Sequence, residues 1–483
     1  MDFLRRLIGT TASALDNPAI PWKSLIITFA LGEYALETYL SYRQYLVLQR
    51  KHIPAQLKQE IDQKTFDKSQ AYGRSKFWFG LVSGAWNQAK SLAVIQYNVY
   101  PALWAVTGSW MLRYAPGFLQ GEITRSLVFA FSYSFVETAL GLPFSYYYHF
   151  YLEEAYGFNK QTLKLWLTDL AKSQALSLAF GIPLGAAFLA IVQRTGDTFF
   201  LYLWFFALAV QLGAITLYPL VIVPLFNKLT PLEPGLLKER VEALAQKLAF
   251  PLAELRVIDG SKRSAHSNAY FTGLPWKKTI VLYDTLIAKS SVPEVEAILA
   301  HELGHWKMGH TTKLLGISAG HLFFVFGLFS VFIKNGSLYE AFGFGKERPI
   351  IIGFILFNEV LSPTNALVKL AMNIWTRSME FQAGRSFFCC WCYTWIGATQ
   401  ADIGDVDAFS YQQGYQNELA ASLIKLQIQN LSSMDADWLY STYNYSHPIL
   451  TERLKAIGWT SEHKLSDDRP AKPSQKANGH AEL

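Results

Sequence analysis

Two histidines and a glutamate stand at a spacing that is typical of a zinc site. They are His301, Glu302 and His305, in the row H-E-L-G-H. Residues four positions apart lie on the same face of a helix. Neutral imidazoles are good Zn²⁺ ligands, and the glutamate can act as general base toward a water that the metal activates. The alternative is a helix that carries two surface histidines by chance, which ten histidines in 483 residues produce only roughly 0.01 times.

The residues before this row predict the helix that must carry it. Pro293 suits a first helical turn, and Glu294 suits the positive end of a helix. Apolar side chains recur at helical spacing at Val295, Ile298, Leu299 and Leu303. Residues 278–283 predict a strand, which could hold an extended peptide by strand addition. His310 falls one residue short of the last position of a longer zinc motif, so we interpret it as structural.

A zinc peptidase site also needs a third protein ligand and an open coordination position. Residues 377–383 predict a helix, and Glu380 within them is a candidate carboxylate ligand. Further on, the row Y-S-H-P contains His447 and is followed by Glu452 and Arg453. The residues alone leave the choice among these candidates open.

The composition indicates a membrane protein. The chain is 51% hydrophobic and 15% aromatic, with a mean hydropathy of +0.14. Seven segments are long enough to cross a bilayer. They are 22–48, 77–110, 126–150, 171–193, 198–226, 314–333 and 350–372. The sequence therefore predicts a mostly α-helical integral membrane protein with about seven transmembrane helices.

Several of these segments contain charged side chains. The acidic ones are Glu33, Glu37, Glu137 and Glu359, and Lys90 is a further candidate. Charged residues inside a membrane usually face a cavity or a partner, so they predict a polar chamber enclosed by the helices. The alternative is that the segment boundaries are wrong and these residues lie near the membrane surface.

The distribution of basic residues predicts the orientation. Residues 50–76 hold seven lysines and arginines, Arg50, Lys51, Lys58, Lys64, Lys68, Arg74 and Lys76, and should be cytoplasmic. Counting spans from there places 227–313, with the zinc row, on the cytoplasmic side. The net charge of +6 agrees with basic cytoplasmic loops, and no nucleic-acid-binding module is recognisable.

These observations divide the chain into consecutive parts. We predict a membrane domain with spans one to five (1–226), a cytoplasmic zinc-protease segment (227–313), spans six and seven (314–372), a C-terminal helical segment (373–460) and a disordered tail (461–483).

The motifs in combination resemble those of a known family, the CAAX prenyl endopeptidases of the endoplasmic reticulum. The resemblance rests on the rows H-E-L-G-H, E-F-Q-A, S-N-A-Y-F and Y-S-H-P-x-x-x-x-R, and it extends from about residue 20 to about residue 460. It implies a zincin-like metalloprotease domain in which one Zn²⁺ per chain is bound by His301, His305 and Glu380. It also implies spans that enclose a large water-filled chamber.

The same resemblance assigns the remaining site residues. Glu302 is the general base, and His447 stabilises the tetrahedral intermediate, with Arg453 nearby on the substrate side. Asn268 contacts the substrate backbone. The implied reaction removes the last three residues of prenylated C-a-a-X proteins, and some members make a second cut upstream.

The implied partners are the prenylated substrate and membrane lipid, and we expect a monomer in the endoplasmic reticulum membrane. Two alternatives stay open. One is a membrane quality-control protease with the same chemistry. The other is a non-catalytic membrane protein, such as a transporter or a scaffold with a disabled protease site.

One segment departs from the family pattern. The family continues E-F-Q-A directly into Asp, whereas here Ala383 is followed by Gly384, and the familiar pattern resumes at Asp407. An Asp four residues after the ligand glutamate could hydrogen-bond a metal-binding imidazole, so Asp407 is the candidate for that role.

The insert 384–406 contains all three cysteines of the chain, Cys389, Cys390 and Cys392, at no recognisable zinc spacing. It is either a lineage-specific loop or a translated intron. The intron interpretation is favoured because a glycine codon split after its first base could rejoin as the missing aspartate codon.

Overall fold

A computed structural model of the chain describes residues 2–274, 276–381, 410 and 413–459. The described chain is mostly helical, with one small sheet. The helices are α1 (Asp2–Leu15), α2 (Trp22–Val47), α3 (Gln63–Gln96), α4 (Val99–Tyr114), α5 (Glu122–Tyr147), α6 (Leu163–Arg194), α7 (Phe199–Leu217), α8 (Val223–Phe226), α9 (Leu236–Lys247), α10 (Asp284–Lys289), α11 (Val292–Lys307), α12 (His310–Phe332), α13 (Gly336–Ala341), α14 (Ile350–Phe381), α15 (Gln416–Gln429), α16 (Trp438–Asn444) and α17 (Leu450–Ala456). The strands are β1 (Leu229–Pro231), β2 (Leu252–Ile258), β3 (Ala269–Leu274) and β4 (Lys277–Tyr283).

Within the described residues, five helical segments are long and apolar enough to cross a membrane. They are Glu122–Glu153, Leu163–Arg194, Gly196–Phe226, His310–Phe332 and Ile350–Glu380. They coincide with the third to seventh predicted spans. In the most apolar 18-residue window of each segment, only 6% to 28% of the residues are buried within the chain. Most of the surface of these helices is therefore available to contact lipid or to line an internal space.

The first two predicted spans differ from this pattern. The first coincides with α2, but Glu33 and Glu37 make that helix too polar to qualify by composition alone. The second, 77–110, is wrong as a single span, because it contains the end of α3 and most of α4. Asn98 breaks the helix in a left-handed conformation, with φ of 50°, which asparagine tolerates better than most residues.

The four acidic side chains in the predicted spans all contact polar groups of another helix. The contacts are Glu33 with Ser362 (2.6 Å), Glu37 with Lys369 (3.1 Å), Glu137 with Lys90 (2.6 Å) and Glu359 with Tyr100 (3.5 Å). Charged groups in a membrane are stable only with such partners or with water. These contacts therefore support a polar interior between the helices.

The sheet contacts both α11 and the apolar helix α7 through β3. Its strand order is β1-β2-β4-β3, in which β2 and β4 are parallel and the other neighbours antiparallel. β3 is therefore an edge strand, whereas β4, which contains the predicted strand 278–283, is paired on both sides. The prediction that residues 278–283 hold a peptide by strand addition is therefore wrong. Successive side chains of a strand point to opposite faces, so the sheet has two different surfaces.

One surface of the sheet packs against α11. Ile280 and Leu282 of β4 share a fully buried cluster with Leu299 and Leu303 of α11 and Val241 of α9. Burying such side chains stabilises the folded state by about 1.5–3 kcal/mol each. This core fixes the zinc-motif helix against the sheet.

Candidate metal centre

The sequence of α11 determines where His301 and His305 point. Ser291 and Glu294 form a capping box, in which the Ser291 backbone N–H donates to Glu294 Oε2 over 2.7 Å. The helix thus begins at Val292. Since Leu299 and Leu303 are buried in the core, the two histidines lie on a different stripe of the helix, away from the sheet.

The third candidate, Glu380, arrives on the last turn of α14. Its side chain is almost completely buried, with 1% of the residue exposed. One turn earlier, Arg377 Nη2 donates to Glu452 Oε2 of α17 over 2.9 Å. This ion pair joins the end of α14 to the helix that carries Arg453.

The three side chains converge. His301 Nε2 and His305 Nε2 are 3.3 Å apart, His305 Nε2 is 3.4 Å from Glu380 Oε1, and His301 Nε2 is 3.7 Å from Glu380 Oε2. Ligand atoms at 2.0–2.2 Å from a tetrahedral zinc ion lie roughly 3.3–3.6 Å from one another. His305 faces Oε1 and His301 faces Oε2 of the Glu380 carboxylate, and one ligand atom from each of the three residues lies within 4.8 Å of the other two, close enough for the three residues to share one Zn²⁺.

Two further observations fit a cation at this point. Glu380 Oε2 is buried and has no hydrogen-bond partner among the residues that the structure describes. Burial lowers the pKa of His305, but the hydrogen bond and charge of Glu380, together with the charge of Glu302, outweigh it and raise that pKa above its ordinary value. The surroundings thus favour positive charge between these groups, which a bound metal ion would supply.

His447 contacts the ligand carboxylate rather than standing apart from it. It lies between α16 and α17, and its Nδ1 donates to Glu380 Oε1 over 2.5 Å. The hydrogen bond places the His447 imidazole on the Oε1 side of this carboxylate. The His447 side chain is 61% exposed, so a substrate can reach it.

Arg453 lies beside His301, with Nη2 3.4 Å from His301 Nδ1. This contact is a hydrogen bond only when Nδ1 accepts, and therefore when Nε2 carries the proton. If Nε2 binds a metal, Nδ1 carries the proton and the guanidinium must donate to a different acceptor. The role of Arg453 toward the substrate stays a prediction.

The structure adds a residue whose part in the site the motif did not reveal. His310, interpreted above as structural, is buried, and its Nδ1 lies 2.9 Å from Nδ1 of His305. Gly309, with a φ of +69°, makes the left-handed turn from α11 to α12 that brings His310 there. The sequence signal was only a glycine and a histidine after the motif helix.

The other predicted residues are placed as follows. Glu302 is half-buried on α11, close enough to His305 to affect its pKa. Asn268 is exposed directly before the edge strand β3, and its backbone carbonyl accepts from the N–H of Tyr283 over 3.1 Å. Asp407 and the insert 384–406 lie outside the described residues.

Comparison with known proteins agrees with this arrangement. Residues 44–228 match a family described as the CAAX prenyl protease N-terminal region with five membrane helices, and residues 231–388 match peptidase family M48. CAAX prenyl protease 1 of Saccharomyces cerevisiae is 42% identical over 467 residues, which cover 93% of this chain and 98% of that protein. The CAAX prenyl protease 1 homolog of Homo sapiens is 36% identical over 477 residues, covering 91% and 95%.

A solved structure is similar over nearly the whole chain. The crystal structure of S. mikatae Ste24p superposes with a TM-score of 0.83 at 41% sequence identity. The match covers 91% of this chain and 100% of that one. The similarity therefore includes both the membrane helices and the candidate metal centre.

Proposed function

This chain belongs to the CAAX prenyl protease family and to peptidase family M48, and from that premise we propose that it is a zinc-dependent membrane endopeptidase that removes the C-terminal tripeptide of prenylated C-a-a-X proteins. The observation that carries the proposal is the convergence of His301, His305 and Glu380 to separations of 3.3–3.7 Å. These residues come from two helices that are far apart in the sequence. The names of the relatives supply the substrate class.

The residues at the site have separate roles in the proposed reaction. Zn²⁺ held by His301, His305 and Glu380 would polarise the scissile carbonyl and lower the pKa of a water. Glu302, which is not a ligand, accepts a proton from the attacking water and passes it to the leaving amine. His447 and Arg453 donate to the oxyanion that develops on the substrate carbonyl.

The edge strand β3 provides the substrate-binding surface. An extended peptide can pair with the edge of β3 that no described strand occupies, as peptides do in strand addition. The amide of Asn268 lies at the beginning of this strand and can contact the peptide backbone there. β3 belongs to the same small sheet that α11 covers, so a peptide paired with it lies next to the zinc-motif helix.

We further propose that the protein resides in the endoplasmic reticulum membrane as a monomer, with the protease segment on the cytoplasmic side. The basic residues between the end of α2 and the first half of α3 predict the cytoplasmic side for that segment. Leu57 and Phe66 of the same segment share a buried cluster with Leu450 and Leu454 of the helix that carries Arg453, which supports the same side for the site. Prenylated proteins are also made on that side, and membrane lipid is the second expected partner.

The test is cleavage of a farnesylated C-a-a-X peptide by the purified full chain in detergent, with products identified by mass. We expect release of the intact tripeptide, inhibition by a zinc chelator and recovery on adding Zn²⁺. The Glu302→Gln variant is the matched control and should release none. Release of tripeptide that persists both in the variant and under chelation contradicts the proposal.

A further inference from the structure

A cavity of about 510 Å³ lies on the surface of the sheet that faces away from α11. Its walls are mainly aromatic and aliphatic side chains, chiefly Tyr218, Ile222, Val223, Phe226, Tyr270 and Tyr283. Asn227 and Arg263 also border it; Arg263 donates to Asp169 over 2.8 and 3.0 Å, and its Nη1 is buried without a hydrogen-bond partner among the described residues. The volume is that of a ligand site, and the aromatic and aliphatic part of its wall offers surface for an apolar group.

The edge strand β3 separates this cavity from the zinc-motif helix. Ala269 and Phe271 point to the side of α11, where they belong to the same apolar cluster as Leu299 and Leu303. Tyr270, between them, points to the opposite side and packs with Val223. The cavity and the zinc-motif helix therefore share one strand and occupy its two faces.

An extended peptide paired with β3 would place its own side chains alternately on these two faces. The face toward α11 is packed against that helix, with Ala269 buried and Phe271 partly buried there. The other face opens onto the cavity. A long apolar group on a substrate side chain therefore has room on that face.

The cavity also adjoins the membrane. The apolar segment Gly196–Phe226 supplies four of its lining residues. Tyr218, one of these four, is 60% exposed. A hydrocarbon chain could thus pass from the bilayer into the cavity without crossing water, and the apolar surface it buries favours binding.

We propose that this cavity binds the isoprenoid group of the substrate while its peptide backbone pairs with β3. The inference rests on the proposed function, since it assigns a place to the prenyl group of that substrate. The Tyr270 side chain then forms the wall between the peptide and the isoprenoid, and the cavity determines the preference for prenylated substrates.

The first test measures this preference with two peptides that differ only at cysteine, which is either farnesylated or S-methylated. Ile222→Trp fills the cavity, and Leu220→Trp adds the same side chain two residues away at an exposed position. We expect Ile222→Trp to lower kcat/KM for the farnesylated peptide on the order of tenfold or more, through KM, and to spare the S-methylated one. Leu220→Trp should leave both values unchanged.

The second test does not need turnover. A peptide with a diazirine-bearing farnesyl group is irradiated with the Glu302→Gln variant, and the labelled residues are mapped by mass spectrometry. We expect labels on Tyr218, Tyr270 or Tyr283, and their loss in Glu302→Gln combined with Ile222→Trp.

Labels confined to other parts of the chain would overturn the proposal, as would an equal loss of kcat/KM for both peptides in Ile222→Trp. If the wild type cleaves neither peptide, the proposed function fails, while the labelling still decides whether the cavity binds the isoprenoid.

Discussion

His310 stands directly behind the metal-ligand candidate His305, with their Nδ1 atoms 2.9 Å apart. One of the two nitrogens must donate a proton to the other. Because His305 Nε2 points to His301 and Glu380, its Nδ1 carries the proton when Nε2 binds a metal. His310 then accepts at Nδ1 and holds the imidazole of His305 in the orientation that a metal needs.

We predict that His310→Ala weakens zinc binding about 10- to 100-fold, the usual effect of removing the outer partner of a metal-binding histidine. The affinity is measured by competition with a chromogenic chelator. His52→Ala, which removes an exposed histidine at the start of the segment between α2 and α3, is the matched control and should bind zinc as the wild type does. Unchanged affinity in His310→Ala would show that the contact is only structural.

Glu302→Gln should keep the bound metal and lose turnover. The Glu302 carboxylate is not a ligand candidate, because the ligand atoms that converge belong to His301, His305 and Glu380. Removing a general base typically costs 10²–10⁴-fold in rate. Metal content by elemental analysis and the rate of peptide cleavage, measured on one preparation, separate the two effects. Loss of the metal together with activity would assign Glu302 to binding instead.

His447→Ala is expected to lower kcat on the order of 10²–10³-fold, as for one oxyanion donor. The structure adds a second role to examine, because His447 Nδ1 also holds Glu380 Oε1 at 2.5 Å. His447→Gln keeps a donor and is the matched variant. If zinc affinity falls as far as kcat, the main role of His447 is to position Glu380.

The features of the site that depend on residues close together in the sequence could be predicted. Those that depend on contacts between residues far apart in the sequence could be predicted only partly. α11 and its two histidines follow from spacing within a few residues, so the prediction of that helix is confirmed. Glu380 could be identified as the third metal ligand only through the family resemblance, because residues 377–383 do not show that α14 ends beside α11. The part that His310 plays depends on the turn at Gly309 and on the packing of α12, which no residue pattern specifies.

The membrane region shows the same limit. Length and apolarity predicted the third to seventh spans, since these depend on composition along one helix. The second span was wrong because a single left-handed residue, Asn98, divides a continuous apolar stretch. The apolarity of a segment predicts that it can enter lipid, but it does not predict where the backbone turns.

The capping box of α11 should make stability depend on pH. Burial raises the pKa of Glu294, but hydrogen bonds from Lys425 and Ser291 outweigh it and hold that pKa below its ordinary value. The ionised form is therefore favoured in the folded state. The ionised Glu294 therefore contributes to the free energy of unfolding. The contribution is complete above the pKa of glutamate in the unfolded chain, about 4.3, and it is lost as the pH falls through the lower pKa of Glu294 in the folded chain.

We therefore expect the apparent Tm in detergent to fall between about pH 5 and pH 3 by more in the wild type than in Glu294→Gln. Glu233→Gln, which changes an exposed glutamate in the loop before α9, should follow the wild type. The partial exposure of Lys425 limits the size of the effect. Parallel curves for the wild type and Glu294→Gln would contradict the assignment.

The insert 384–406 allows a prediction about the chain as a whole. Joining Ala383 to Asp407 restores E-F-Q-A-D and places an aspartate four residues after Glu380, on the same helical face. There its carboxylate can hydrogen-bond a ligand imidazole, a contact whose absence costs about 10- to 100-fold in metal affinity or activity. We therefore expect the deletion variant to bind zinc more tightly and to cleave a farnesylated peptide faster than the full chain.

The matched control for this deletion is the same variant with Asp407→Asn. It has the shortened chain but lacks the restored charge, so it should lose most of the gain in zinc affinity. A gain that persists in Asp407→Asn would come from removing the insert rather than from the aspartate. A deletion variant that is less active or less stable than the full chain would show that residues 384–406 are a genuine structural element, and the intron interpretation would be wrong.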